Sequence, residues 1–319
     1  MKIIDFESIR ALNLPSAECY RLAEEMIRDK ADAYLPAKIH MGMQGNAFCN
    51  VMPSIIHGSP SVGGVKVVTR YPERIPSLDS KILLFNADTG EFLALMDGNW
   101  ITAMRTGAVA AHSVMTFARE GWRTIGLIGL GNVARSSLAV LASVTDKPLE
   151  VRLLRYKDQA EAFIERFRHF PNLEFRIVGS AEDCIRDTDV ILSCATYFEN
   201  DIAQDEWFSE GTLVVPVHTR GFSNCDLFFD KVFADDTKHV ENFRYFSRFR
   251  SFAEVSDVIT GKAKGRENNT ERILVYNIGV SIHDIHYAFH IYQKMQENPA
   301  VFRGLADADM HDPTEKHWF

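Results

Sequence analysis

The chain has 319 residues, 46% of them apolar and 24% charged, the balance of an ordinary globular protein of about two domains. Its 35 basic and 43 acidic residues leave a net charge of −8, and no basic block exceeds the short stretch at 244–250, which argues against nucleic acid as a partner. No apolar run nears the ~20 residues that cross a bilayer, residues 1–30 lack a signal-peptide pattern, and Cys19, Cys49, Cys184, Cys194 and Cys225 show no CxxC or metal-ligand spacing; a cytoplasmic protein with reduced thiols and no metal is expected.

In chain order, Cys19, Leu22, Ala23, Met26 and Ile27 recur at helical spacing behind Ser16, an N-cap candidate. From about 36 to 98 the pattern changes to short β-rich runs at 62–69, 81–87 and 92–96, the last two joined by a hairpin turn at Asp88, Thr89 and Gly90. Residues 102–119 return to helix, with Ala103, Gly107, Ala108, Ala110 and Ala111 small enough for close packing. Beyond Gly121, apolar runs at 125–128, 151–154, 175–178, 190–195, 213–217 and 273–276 alternate with helical segments, which predicts a doubly wound parallel sheet. Ser180 opens a helix with Asp183 at the third position, and past Gly279 a last helix carries Ile282, Ile285, Ala288, Phe289 and Tyr292. The fold class is therefore α/β: a Rossmann-type doubly wound parallel sheet with a second α+β domain.

The run from Ile125 ends in Gly129-Leu-Gly131-Asn-Val-Ala134, a GxGxxA turn between a strand and a helix. A dinucleotide's pyrophosphate lies against backbone N–H groups at a helix N-terminus, where side chains would block its approach. Gly129 would make the turn, Gly131 would admit the phosphates and Ala134 would pack. About 20–25 residues on, where an NAD enzyme places an acid for the ribose hydroxyls, stands Arg155, followed by Tyr156, Lys157 and Asp158. A guanidinium pairs with a 2′-phosphate, so NADP(H) is favoured. NAD(H) is the alternative, with Arg155 a solvated strand-end cation and Asp158 serving the ribose.

Upstream, the run Leu95-Met-Asp-Gly-Asn-Trp-Ile-Thr-Ala-Met-Arg-Thr-Gly-Ala108 resembles the signature of the ornithine cyclodeaminase and mu-crystallin family. Pro36-Ala-Lys-Ile39, Met52-Pro53, Gly64-Val-Lys-Val67 and residues 279–284 agree in order and spacing, so the resemblance covers nearly the whole chain. It implies a substrate and dimerisation domain at 1–118, completed by about 279–319, a Rossmann domain at 119–278, and a homodimer. It also implies hydride transfer at the α-carbon of a small amino or imino acid, of the ketimine reductase or amino-acid dehydrogenase type. The alternatives are a cyclodeaminase with an altered acid/base residue and a non-catalytic, mu-crystallin-like NADP-dependent binding protein.

By this resemblance Lys66 and Arg105 fall on the family's substrate-binding Lys and Arg, and Lys38 stands where the cyclodeaminase carries an Arg. Ser77, Thr106, Asn132, Val133, Thr196 and Asn277 fall on cofactor contacts. Fixed cations suit a substrate whose carboxylate adjoins the reacting carbon. The residues alone leave other roles open: Lys66, alternating with Val65 and Val67, reads equally as an outward-facing lysine, and Arg105, on a face continuing through Val109, His112 and Thr116, as a helix-end salt bridge.

The pattern breaks at one place. Counting back from Asp226-Leu227, the cyclodeaminase's acid/base Asp falls on Arg220, and an arginine cannot exchange protons at neutral pH. His218 is the candidate substitute, against a strand-end histidine satisfied by a backbone carbonyl. Arg220 is a candidate second anion site for a dicarboxylate or phosphorylated substrate.

Overall fold

The structure, a computed structural model, describes residues 1–195, 198, 200–217 and 222–308. The chain opens with β1 (Lys2–Ile4), α1 (Phe6–Ala11) and α2 (Ser16–Arg28), followed by β2 (Ala33–Tyr34), β3 (Ile39–Gly42), β4 (Phe48–Ile56), β5 (Val62–Arg70), β6 (Leu78–Asn86) and β7 (Phe92–Asp97). Next come α3 (Asn99–Phe117), β8 (Thr124–Ile128), α4 (Asn132–Val144), β9 (Leu149–Leu154), α5 (Gln159–Phe167), β10 (Leu173–Val178), α6 (Ala181–Ile185), β11 (Val190–Ser193) and β12 (Leu213–Pro216). The remainder holds β13 (Lys231–Ala234), β14 (Phe252–Glu254), α7 (Val255–Ile259), β15 (Ile273–Tyr276), α8 (Ser281–Gln296) and α9 (Pro299–Gly304).

Among the described residues the strands form two sheets. One has the order β1-β7-β6-β5-β4-β2, with β3 also on β4, and is antiparallel except for β1 on β7. The other has the order β10-β9-β8-β11-β12-β15-β13-β14 and is parallel throughout. All six expected parallel strands are present. The chain is thus α/β, a Rossmann-type sheet with a second α+β unit.

The first compact unit comprises residues 1–13, 33–101 and 284 onward. One face of its sheet buries Met52, Val68, Ile82, Leu84, Ala94 and Met96. The other face leaves Ile39, Met41, Val67 and Leu95 exposed, and the register sets Ile39, Val51 and Val67 in one row. The hairpin from β6 to β7 forms as the turn residues predict, with Gly90 in the left-handed region.

The second unit comprises 14–32 and 102–283. Its central strands β11, β12, β13 and β15 are buried at every position, as a parallel sheet covered on both faces requires. Helix α2 buries the five residues its periodicity picks out, although Ser16 is its first helical residue and Pro15 the cap. Ser180 caps α6, its Oγ accepting from the Asp183 amide at 3.1 Å.

These units divide the chain at other points than 118/119 and 278/279, because α2 and most of α3 group with the parallel sheet. Their packing explains it: α2 lies on α4, and the Ser136 hydroxyl of α4 donates to the Ala103 carbonyl of α3 at 2.7 Å. Strands β1 to β4, β13 and β14 go beyond the predicted set. In β4, Pro53 and polar Asn50 and Ser54 mask the pattern, yet the strand pairs along its full length with β5. No described helix is long and apolar enough to cross a membrane.

Candidate active site

The glycine turn joins β8 to α4. Gly129 sits at φ +84°, and a Cβ there would come 2.6 Å from the Ala195 amide nitrogen, so the turn and the neighbouring strand end together require glycine. That strand end is fixed by the Cys194 amide, which donates to the Ile128 carbonyl at 2.7 Å. Gly131 is the exposed N-cap of α4, and among the described residues other than its chain neighbours no heavy atom lies within 4 Å of where its Cβ would stand. Asn132 is exposed, Val133 half-buried and Ala134 fully buried. A bare helix N-terminus without a side-chain cap, opening on free space, fits the pyrophosphate of a dinucleotide.

Arg155 follows β9 and is exposed, with its guanidinium 2.9 Å from Glu161 and its amide on the Val178 carbonyl at 3.0 Å. Lys157 beside it takes φ +50°, and Asp158 occupies the N-cap of α5 without a side-chain capping bond.

Arg105 lies inside α3 rather than at its opening, since the helix begins at Asn99. Its residue is 6% exposed, and the face it continues is interior: His112 is buried, lies 5.6 Å from the Tyr20 ring, and has its pKa pushed down to about 4, chiefly by burial and further by the Arg28 charge. Thr106 donates to the Thr102 carbonyl at 2.6 Å. Buried Asn277 joins α3 through the Ser113 hydroxyl at 3.2 Å, while its amide donates to the Pro216 carbonyl at 3.0 Å.

In the first unit, Lys66 is on the buried face of β5 and Val67 on the exposed one, the reverse of the outward-lysine reading. Its Nζ lies 2.8 Å from Oδ2 of Asp284, in the first turn of α8, and both side chains are at most 1% exposed. Lys38 is half-buried just before β3. Half-buried Ser77 ends the loop between β5 and β6, where its carbonyl accepts from the Tyr71 amide at 2.9 Å and the Arg74 guanidinium at 3.3 Å.

The predicted residues thus fall into two groups, Lys38, Lys66 and Ser77 in the first unit and Arg105, Thr106, the glycine turn, Arg155 and Asn277 in the second. Thr196, His218 and Arg220 lie outside the described residues. Asp284 and Asp235 carry contacts that spacing could not find. The only hint was that 279–284 belongs to the segments that resemble the family. In the second unit, burial pushes the carboxyl of Asp226 up to about 7, while the Tyr276 hydroxyl donates to it at 2.5 Å.

The family model described as the ornithine cyclodeaminase/mu-crystallin family matches residues 7–299, and the chain belongs to that family. It is an enzyme, an NAD(P)-dependent oxidoreductase or cyclodeaminase. The nodulation efficiency protein NfeD of Rhizobium meliloti is 29% identical over 293 residues, covering 88% of this chain and 90% of that protein. The N-((2S)-2-amino-2-carboxyethyl)-L-glutamate dehydrogenase of Staphylococcus aureus is 26% identical over 270 residues, 77% of this chain and 78% of that one. Among solved structures, the Thermococcus litoralis Δ1-pyrroline-2-carboxylate reductase in complex with NADH and L-proline superposes with a TM-score of 0.82 at 26% identity, covering 94% of this chain and 98% of that one.

Proposed function

We propose that this enzyme transfers hydride at the α-carbon of a small amino or imino acid, reducing a ketimine or oxidising the corresponding amine, and that it prefers NADP(H) to NAD(H). The observation that carries the reading is the glycine turn, whose open Gly131 cap fits a dinucleotide, in the same unit as the buried cation Arg105. A bound nicotinamide cofactor would supply or take the hydride. The cofactor preference rests on Arg155, an exposed guanidinium at the end of β9, where a 2′-phosphate would find a partner. Ser77, Thr106, Asn132, Val133, Thr196 and Asn277 are the proposed remaining cofactor contacts.

In this reading Arg105 anchors the substrate carboxylate, Lys66 adds a second cation whose charge is kept by Asp284, and Lys38 a third. When a C=N bond becomes an amine, hydride adds to carbon and a proton must reach nitrogen. His218 is the proposed group that moves this proton, imidazole being the side chain that exchanges protons near neutral pH. Arg220 extends the anion site toward a second acidic group of the substrate, and Arg220→Ala should then raise the Michaelis constant for a dicarboxylate.

A second copy of the chain is the proposed cover for the exposed sheet face of Ile39, Val67 and Leu95, with sedimentation velocity as the check. The function is tested by NADPH oxidation with pyrroline-2-carboxylate, piperideine-2-carboxylate, and pyruvate plus amines. A matching assay follows ammonia release from ornithine. Oxidation of NADPH with any of the first set supports the proposal; ammonia release without net absorbance change identifies a cyclodeaminase instead.

A further inference from the structure

In the second unit the Arg105 guanidinium rests on a turn built to receive it. Gly279 takes φ +89°, and a Cβ added there would meet Arg105 first, at 2.9 Å from Nη1, 3.4 Å from Nη2 and 3.6 Å from Cζ. The turn itself is clamped. The Gly279 amide donates to Asp235 Oδ2 at 2.5 Å, and the Asp235 amide donates to the Tyr276 carbonyl at 3.1 Å, so the end of β13 holds the chain leaving β15. Behind it, Lys30 donates to the Asp235 carbonyl at 2.7 Å and pairs with Asp236 and Glu254 at 2.9 and 2.6 Å. Asn277, two residues before the glycine, is fixed at its amide and its side chain as described above.

An arginine side chain has many rotamers, and ordering one at the moment of binding costs affinity. A guanidinium already laid on a rigid backbone surface is ordered beforehand, and its height over that surface is set by the missing Cβ.

We infer that Gly279, held by Asp235, is a positioning residue that sets the reach of the Arg105 guanidinium toward the substrate carboxylate. The inference rests on Arg105 being the carboxylate anchor. It makes the enzyme selective for substrates whose carboxylate is bonded directly to the reacting carbon, because a longer spacer would need a differently placed fork. In Gly279→Ala the guanidinium, the far end of a flexible side chain, is what must give way.

The test uses the NADPH-loaded protein and calorimetric affinities for two unreactive planar probes, pyrrole-2-carboxylate and pyrrole-2-carboxamide. Wild type should prefer the carboxylate. Gly279→Ala should lower carboxylate affinity about tenfold, with carboxamide affinity and NADPH affinity little changed, since a misplaced bidentate contact loses on the order of 1.4 kcal/mol. Asp235→Asn keeps one acceptor oxygen and should lose about threefold, while Asp235→Ala should match the glycine variant. Should Gly279→Ala fail to fold because alanine is strained at this φ, the two Asp235 variants decide the matter alone. If Arg105→Ala abolishes the carboxylate preference while the variants that fold stay within about twofold of wild type, the positioning role is overturned and the anchor stands. If wild type shows no preference, or Arg105→Ala leaves it intact, the anchor falls and the inference with it.

Discussion

Lys66 and Arg105 are both buried cations, yet the two units of the molecule accommodate them differently. Lys66 sits in the middle of an antiparallel sheet and meets the carboxylate of Asp284 at 2.8 Å, a charge matched by a charge. Arg105 sits in the interior of α3 with its guanidinium against the backbone of Gly279. A buried ion pair gains little over an apolar pair of the same shape, but removing one member strands the other in a low dielectric. Lys66 is therefore bound up with the stability of its unit, beside the substrate role proposed for it and for Arg105.

The largest effect expected from this contrast is on folding. Lys66→Met leaves Asp284 buried without its ammonium and should cost about 3–5 kcal/mol in urea unfolding, whereas Lys66→Met with Asp284→Leu should recover most of that. A single-variant loss below about 1 kcal/mol would erase the distinction between the two cations.

The second unit also holds Lys30, paired with Asp236 and Glu254, and this network extends the comparison through pH. Burial alone would push the Asp236 carboxyl up, but hydrogen bonds and charge from His239 and Lys30 outweigh it and hold it down to about 2. A carboxylate depressed in the folded state stabilises above its ordinary range near 4, and that stability disappears as the pH falls through the folded value. Relative to Asp236→Asn, wild type should lose about 2 kcal/mol between about pH 5 and about pH 2, read from urea titrations across the window. A constant difference across it would show that the Lys30 network holds no such charge.

The smallest effect belongs to the exposed cation. Arg155 pairs with Glu161 where both side chains are about half exposed, so solvent screening leaves the pair little weight in folding. Arg155→Ala should leave Tm unchanged and lower the ratio of NADPH to NADH affinity about tenfold. An unchanged ratio would remove the proposed cofactor preference.

Local features were legible in the sequence. The glycine turn, the burial stripe of α2, the hairpin at Gly90 and the Ser180 cap each depend on residues within a few positions of one another, where backbone sterics and hydrogen-bond reach act directly. Four of the six expected parallel strands, β8, β11, β12 and β15, were legible because burial on both faces leaves a nearly unbroken apolar run, whereas β9 and β10 alternate with Glu150, Arg152, Glu174 and Arg176. Strand β4 was not, since its Pro53 and polar positions are tolerated only because β5 pairs along its whole length. Strand β13 opens on Lys231 and β14 has only three residues, so neither carries a clear apolar signal.

What the sequence determined by itself was the glycine turn between β8 and α4, the class of sheet that carries it and the family to which the chain belongs. Tertiary structure decided which side of β5 is inside, that α2 and most of α3 group with the parallel sheet, that Asp284 answers Lys66 across 218 residues and that Asp235 clamps the glycine under Arg105. The reason is physical. A period of two places Lys66 opposite Val65 and Val67 but carries no sign, and the choice of face and the partner of a buried charge are fixed only when distant elements close over it.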